Sequence, residues 1–336
     1  MLTTGRGGIM MQTIKLSAIL LASLICVGQV ASGTESWPGT KPLRLEAGSA
    51  AGGIVDVVPR QLSNYLSTSL GVPVVVEDRA GAGGNIAAAV VAKAQPDGHT
   101  LLVTSTSQAV NPTLLPDPGF DYERDLAPVS MTVTTGVLLV AAPSFPAKNI
   151  TDVIEIVKQK PRSISIGISV IGSPSHLGAE MLAQYGNIDL TFVPYDGSAQ
   201  AIPDIIANRV NLLFGNMSTL LPHVRSGAVK ALAVLSPQRS PLAPDIPASA
   251  EAGLPQMTID SWICIMTTGG TPAPIIARLD EEIAKVLALP EVRDGFAKQG
   301  IEIFHLGPQQ LGQFLPLEAA RFSNLLRHSR VKAGSQ

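Results

Sequence analysis

The sequence predicts an α/β fold in two halves joined by two crossing segments. Short β-rich runs alternate with helical patterns along the chain, which is the signature of strands connected by helices. Glycine-rich or hydroxyl-rich turns recur where those runs end. Two long apolar stretches, Val129 to Ala142 and Met257 to Thr268, bracket a middle α/β block, so the chain leaves its first half and later returns to it. With 336 residues there is enough chain for two cores. A composition of 46% hydrophobic but only 4% aromatic residues suits buried parallel strands packed by small aliphatics.

The N-terminus carries a targeting signal. Lys15 precedes an apolar run from Leu16 to Ala31 and then the small residues Ser32 and Gly33, which reads as a secretory signal peptide over residues 1–33. A retained membrane anchor is the rival reading, and the run is short for a span. The segment holds Arg6 and Lys15 and no acid, so its removal takes the net charge from −2 to −4. No basic face then argues for nucleic acid or anionic lipid. Cys26 falls in the signal and leaves Cys264 alone, so no internal disulfide can form. Cys264 sits in the apolar run Trp262 to Met266 and reads as a buried structural thiol.

Leu43 to Ala47 is a strand feeding the turn Gly48-Ser49-Ala50-Ala51-Gly52-Gly53 and a helix from about Ile54 to Leu70, ended by Gly71. Pro59 costs little if that helix begins near Val57 and otherwise marks a kink. Val72 to Glu77 repeats the pattern, with Gly81, Gly83 and Gly84 before an alanine-rich helix from Ile86 to Ala94. Such turns aim unpaired helix N–H groups outward and favour a small anion. They lack both the Lys-Ser/Thr of a phosphate loop and dinucleotide spacing. The strand Thr100 to Thr104 ends at Ser105, Thr106, Ser107 and Gln108 beside the two glycine turns, and Asn111 to Pro128 reads as an irregular connection.

In the second half, a helix over Ile150 to Gln159 and a strand over Ser163 to Ser169 lead to Gly172-Ser173-Pro174-Ser175-His176, where Ser173 is the expected N-cap. The strand Leu190 to Pro194 ends at Tyr195-Asp196-Gly197-Ser198-Ala199 before the next helix, and Val210 to Phe214 ends at Gly215-Asn216. Three helices close the chain from Ile275, Pro290 and Pro308 and are expected to pack on the first half, making it discontinuous. The boundaries read as 34–141 with 260–336 for the first domain and 142–259 for the second.

Enzyme chemistry is poorly supported. No Gly-x-Ser-x-Gly elbow occurs, and the five histidines have no metal spacing, so neither a metal nor a cofactor is expected. Ser173 or Ser175 as nucleophile would need a base and an oxyanion hole that the sequence does not supply. Asp56 is the one acid near the first turn; it can face a ligand, but the favoured reading is that it holds the loop through backbone N–H groups. His176 at a helix N-terminus could offer its ring N–H to a ligand, and Asn216 offers its amide at a strand end.

Further residues sharpen the picture. Lys41-Pro42-Leu43-Arg44-Leu45, Gly52-Gly53 with Asp56, Val74 to Ile86 (with Glu77-Asp78-Arg79-Ala80-Gly81-Ala82-Gly83-Gly84-Asn85), Pro96 to Leu102, Gly172 to Leu177 and Val193 to Gly197 together resemble the Bug family, the periplasmic receptors of tripartite tricarboxylate transporters. The resemblance runs from about Trp37 to the C-terminus. It implies a two-domain periplasmic binding protein of type II, a Venus flytrap with a hinge of two crossing segments, that closes on a small carboxylate and delivers it to membrane permease subunits. A periplasmic sensor of the same fold is the alternative. A monomer is expected. Carried over by position, the ligand-facing parts are the first turn (Ser49, Ala51, Gly52, Gly53), the second (Gly83, Gly84), the tip Ser105, Thr106, Ser107, and Ser173, Tyr195, Gly197 and Ala199 from the other domain. The chain departs from the family where Gly48-Ser49-Ala50-Ala51 replaces a Phe-Pro-Pro-like stretch and where Arg209-Val210-Asn211 and Phe214-Gly215-Asn216 stand for Gly-x-Val-Asp and a later Phe-Asp, with the loss of an acid or two. Those changes alter pocket volume and charge, and the Ser49 hydroxyl favours a more polar ligand.

Overall fold

The computed structural model describes residues 1, 37–49, 51–115, 117–169, 172–195 and 197–327. The expected signal peptide lies outside them except for Met1. From Thr40 onward the described chain forms one compact unit. No helix among the described residues is long and apolar enough to cross a membrane.

The first lobe begins with β1 (Leu43–Ala47), α1 (Ile54–Leu70), β2 (Val74–Asp78), a single 3-10 turn (Ala82–Gly84), α2 (Asn85–Ala92), β3 (Thr100–Ser105) and α3 (Ser107–Leu114). Helix α1 keeps its predicted span. Val55, Val58, Leu62, Leu66 and Leu70 make one buried stripe, and Gly71 ends the helix in the left-handed conformation with its N–H on the Ser67 carbonyl. Pro59 therefore lies inside the helix.

The 16-residue strand β4 (Leu126–Ala141) is the spine of the molecule. It is followed by α4 (Ile150–Gln159), β5 (Ser165–Ile168), α5 (Pro174–Tyr185), β6 (Thr191–Pro194), α6 (Ser198–Ile206), β7 (Leu212–Asn216), α7 (Met217–Arg225) and β8 (Lys230–Val234). The chain then returns through β9 (Asp260–Thr268), α8 (Ala273–Leu287), α9 (Pro290–Lys298), β10 (Glu302–Leu306) and α10 (Pro308–Leu326).

The two sheets share β4. Residues Leu126 to Gly136 pair with β9, with β10 on the opposite side, in a sheet ordered β2-β1-β3-β9-β4-β10. Residues Val137 to Ala141 pair with β7, with β8 on the other side, in a second sheet that continues through β5 to β6. The expected break near Thr134 to Gly136 is thus a change of partner within one continuous strand. At the change, Gly136 sits opposite Asp260, so the two crossings lie side by side as a hinge. A Cβ at Gly136 would meet Val234 at 3.0 Å and Met217 at 3.2 Å, which is tighter than nearly all real contacts.

Strand direction decides where the helix N-termini point. Strand β9 is antiparallel to both β3 and β4, so β3 and its parallel neighbours β1 and β2 run the same way as β4, toward the second lobe. Strand β7 is antiparallel to β4 and parallel to β5, so β5, β6 and β7 run back toward the first lobe. The carboxyl ends of the two parallel sets therefore face each other. Ser105 stands level with Val133 through Ile263, and Asn216 stands level with Val137; four residues of strand separate them, about 13 Å.

Three features differ from the sequence reading. Helix α3 occupies part of the expected irregular connection, and strand β10 appears between the last two helices. The last helix packs on α3 and β4 and also reaches the second lobe: the Gln184 side chain of α5 donates to the Leu325 carbonyl of α10 at 2.9 Å. Cys264 is fully buried in β9, and burial pushes its thiol well above the ordinary range.

Candidate ligand crevice

Each of the six parallel strands ends in a turn that starts a helix, and the six turns line the opposed edges of the two sheets. In the first lobe the β1 and β2 turns touch: a Cβ on Gly48 would come within 3.1 Å of the Gly84 Cα. Gly84 takes φ +95°, so only glycine is unstrained there. The Gly83 carbonyl accepts from the Asn111 side chain at 3.0 Å, and the same amide reaches Asn85 at 2.9 Å, so α3 clamps the second glycine turn.

Asp56 is buried. Its Oδ2 accepts the Gly52 N–H at 2.7 Å, and its Oδ1 pairs with Arg60, whose other arm reaches Asp78 at 2.5 Å. It braces the turn, as the favoured reading held. Ser49, Gly53 and Gly83 are half-buried, Gly84 is buried, and Ala51 and Gly52 are exposed. At the β3 tip Ser105 and Ser107 are half-buried with their hydroxyls 3.3 Å apart. Thr106 instead is fully buried and points its hydroxyl at the Asp260 carbonyl, 3.4 Å away, beside the hinge.

In the second lobe the β5 turn presents three serines. The Ser169 hydroxyl lies 2.8 Å from that of Ser173 and 2.7 Å from that of Ser175, and Ser175 also accepts the Ser169 N–H at 2.6 Å. Ser173 is the N-cap of α5 as predicted, accepting the His176 N–H at 3.3 Å. His176 turns away from the crevice: its ring is fully buried, Nδ1 accepts the Gly172 N–H at 3.1 Å, and Nε2 faces Glu180 at 3.6 Å. Across the lobes, a Cβ on Gly172 would meet Leu114 at 3.1 Å and Val110 at 3.2 Å.

Tyr195 is half-buried but its hydroxyl is committed to Asp204 at 2.7 Å. Burial and that carboxylate push its phenol up to about 12. Gly197 caps α6 with Ala199 exposed in the first turn, and half-buried Asn216 caps α7 without a side-chain bond to the helix. A Cβ on Gly215 would meet Ser198 at 2.9 Å, so the β6 and β7 turns also touch.

The arginines nearest these turns in sequence are tied to carboxylates. Arg79 pairs with buried Glu46 and with Glu77, Arg60 with Asp56 and Asp78, and Arg209 with Asp204. What the turns offer an anion is therefore neutral: helix N–H groups and hydroxyls, which hold a carboxylate well when water is excluded. Among the described residues no three His, Cys, Asp or Glu are grouped to hold a metal ion. The sequence reading passed over Ser169 and Asn111. The Ser-x-x-x-Ser-x-Ser spacing was a signal for the first; Asn111 left none, because the helix that aims it was not expected.

This architecture has close counterparts. Residues 58–330 match the family model described as "Tripartite tricarboxylate transporter family receptor". The chain belongs to that family. Within this receptor family, it is 34% identical to Protein BugT of Bordetella pertussis over 294 residues, 87% of this chain and 90% of that one. Among solved structures it is similar to Rhodopseudomonas palustris Rpa4515 with adipate, at TM-score 0.81 and 30% identity, covering 87% of this chain and 97% of that one. It is also similar to MatC (Rpa3494) from Rhodopseudomonas palustris with bound malate, at TM-score 0.77 and 29% identity, covering 85% and 98%. The two-lobed binding-protein fold expected from the motifs is the fold of this receptor family.

Proposed function

We propose that the protein is an exported receptor that captures a small organic carboxylate in the crevice between its lobes and delivers it to the membrane permease subunits of a tripartite tricarboxylate transporter. The observation that carries this is the convergence of six strand-to-helix turns from two opposed parallel sheets, offering neutral donors while the neighbouring arginines are held in ion pairs. The family membership and the adipate and malate named for two similar structures support the ligand class. Ser49, Ser105, Ser107, Ser169, Ser173 and Asn216 are the side chains proposed to meet the ligand, with backbone N–H groups of the turns at Gly53, Gly84 and Gly197. Thr106, His176 and Tyr195 act behind them. The lobes are taken as residues 34–141 with 260–336 and residues 142–259, the signal as residues 1–33, and the site of action as the periplasm, with the receptor monomeric.

A thermal-shift series on the purified protein tests this, comparing adipate and malate with their diamides. A ligand at a hundred times its dissociation constant stabilises by roughly 2.7 kcal/mol. The reading predicts a shift with at least one diacid and none with its diamide. Equal shifts with acid and amide, or none with a full panel of mono-, di- and tricarboxylates, would overturn it.

A further inference from the structure

Behind α3, on the face turned away from the second lobe, lies a cavity of about 290 Å³. That is just below the range for small-molecule pockets, about 300–1,000 Å³, and suits a compact occupant. Its walls are α3, the segment around Tyr122, the start of β4, Met266 of β9, and a stripe of α10 that includes Gly312 and Pro316. The cavity is separate from the crevice: Val110 and Leu114, the α3 side chains nearest Gly172, are not among its walls.

The lining is largely apolar, and its few polar groups share one property. Gln108 is only 6% exposed, lines the cavity and makes no hydrogen bond among the described residues. Its amide opens onto the cavity, where an occupant's polar group can take the place that water otherwise fills. Tyr122 donates its hydroxyl proton to Asn85 at 2.9 Å, which leaves its oxygen able only to accept. Glu123, exposed at the rim, has a carboxylate with no hydrogen bond or ion pair among the described residues. Two of the three polar groups can only accept, and the amide oxygen of Gln108 can join them. A matching occupant brings donors and positive charge on an apolar body, the reverse of what the crevice favours.

We propose that this cavity is a second binding site, taking a compact primary amine with an apolar body, its ammonium held by Gln108, Glu123 and the Tyr122 oxygen. The proposal is independent of the crevice and goes beyond the receptor reading.

The test is an NMR titration of the purified protein, labelled at backbone amides and methionine methyls, with 2-phenylethylamine, ethylbenzene and 3-phenylpropionate. Saturable shifts at the Met266 methyl and the Gly312 amide are expected with the amine, with at least tenfold weaker binding of the carboxylate. Gly312→Leu directs a side chain into the cavity; the added Cβ meets only Pro128 at an ordinary 3.5 Å, glycine inside a helix is already unfavourable, and unchanged amide shifts away from the cavity check that the fold is kept. It should abolish binding of all three probes, read at the Met266 methyl. Glu123→Gln, at an exposed position, should weaken the amine about fivefold or more and leave ethylbenzene unchanged. Absence of saturable shifts with the amine, equal binding of the carboxylate, an undiminished amine affinity in Gly312→Leu, or no change in Glu123→Gln would each overturn the proposal.

Discussion

The Gly172 N–H donates to Nδ1 of His176 at 3.1 Å, which fixes the tautomer: Nε2 carries the proton and faces Glu180 at 3.6 Å. Glu180 Oε2 in turn lies 3.4 Å from the Gln184 amide, which reaches the Leu325 carbonyl at 2.9 Å. Residues 176, 180 and 184 follow one face of α5, so a buried polar line runs from the crevice turn to the end of the last helix.

His176→Ala leaves the Gly172 N–H without an acceptor in a buried place, and should cost about 1–3 kcal/mol in urea unfolding. His176→Asn sets an oxygen near the Nδ1 position and should recover much of the loss, while His176→Gln, which mimics Nε2, should not. Equal losses in Asn and Gln would show that the Gly172 bond does not matter.

Tyr195 and Tyr122 both have phenols pushed up to about 12, Tyr195 by burial and the Asp204 carboxylate, Tyr122 by burial against a weaker opposing bond to Asn85. The unfolded value is near 10. The unfolded chain then loses these protons first, so stability from both groups is intact below pH 10 and falls as pH rises from about 10 toward 12. Absorbance titration should show a late tyrosinate transition that shrinks in Tyr195→Phe; a Tyr195→Phe curve identical to the wild type would refute the assignment.

Asp260 lies at the hinge, where burial of its carboxyl raises it to about 6, helped by the negative charges of Glu302 and Glu318 and opposed by Arg321. The residue as a whole is exposed, so solvent trims the energetic effect. The folded state holds this proton more tightly than the unfolded chain, whose value is near 3.9. Its contribution therefore stabilises as pH falls from about 6 toward 4 and is absent above. Asp260→Asn should raise the melting temperature at pH 7 and narrow its gap to the wild type by pH 4.5. A gap that does not change with pH would count against this.

Gly84→Ala meets two obstacles, a φ of +95° and the Gly48 carbonyl 3.3 Å from the new methyl. Gly227→Ala meets only the first, with φ +75° and nothing within 4 Å. Both should destabilise, Gly227→Ala by about 1 kcal/mol and Gly84→Ala by more, up to about 3. Chemical denaturation of the pair separates contact from conformation, and an equal cost would mean the two turns can part freely.

Much of the architecture was legible in one dimension. The stripe from Val55 to Leu70 closed by Gly71, the serine cap at Ser173 and the alternation of short strands with helices are local patterns, and a period or a cap needs only neighbours in sequence. Two elements were not legible. Glu302 to Leu306 is a strand because β4 pairs with it, and Ser107 to Leu114 is a helix despite Pro112 because Ala109 and Val110 are buried in the core and Asn111 bonds Gly83 and Asn85.

The sequence alone determined which turns hold glycine or hydroxyl groups, and so the chemistry available to a ligand. Tertiary structure decided which of those groups face the crevice. Thr106 and His176 sit in the right loops, yet one hydroxyl is drawn to the Asp260 carbonyl and one ring to the Gly172 N–H and Glu180, because buried polar groups take the partners that packing brings within reach. The opposition of the two parallel sheets was likewise set in three dimensions, by the antiparallel pairing of β4 with β9 on one side of Gly136 and with β7 on the other.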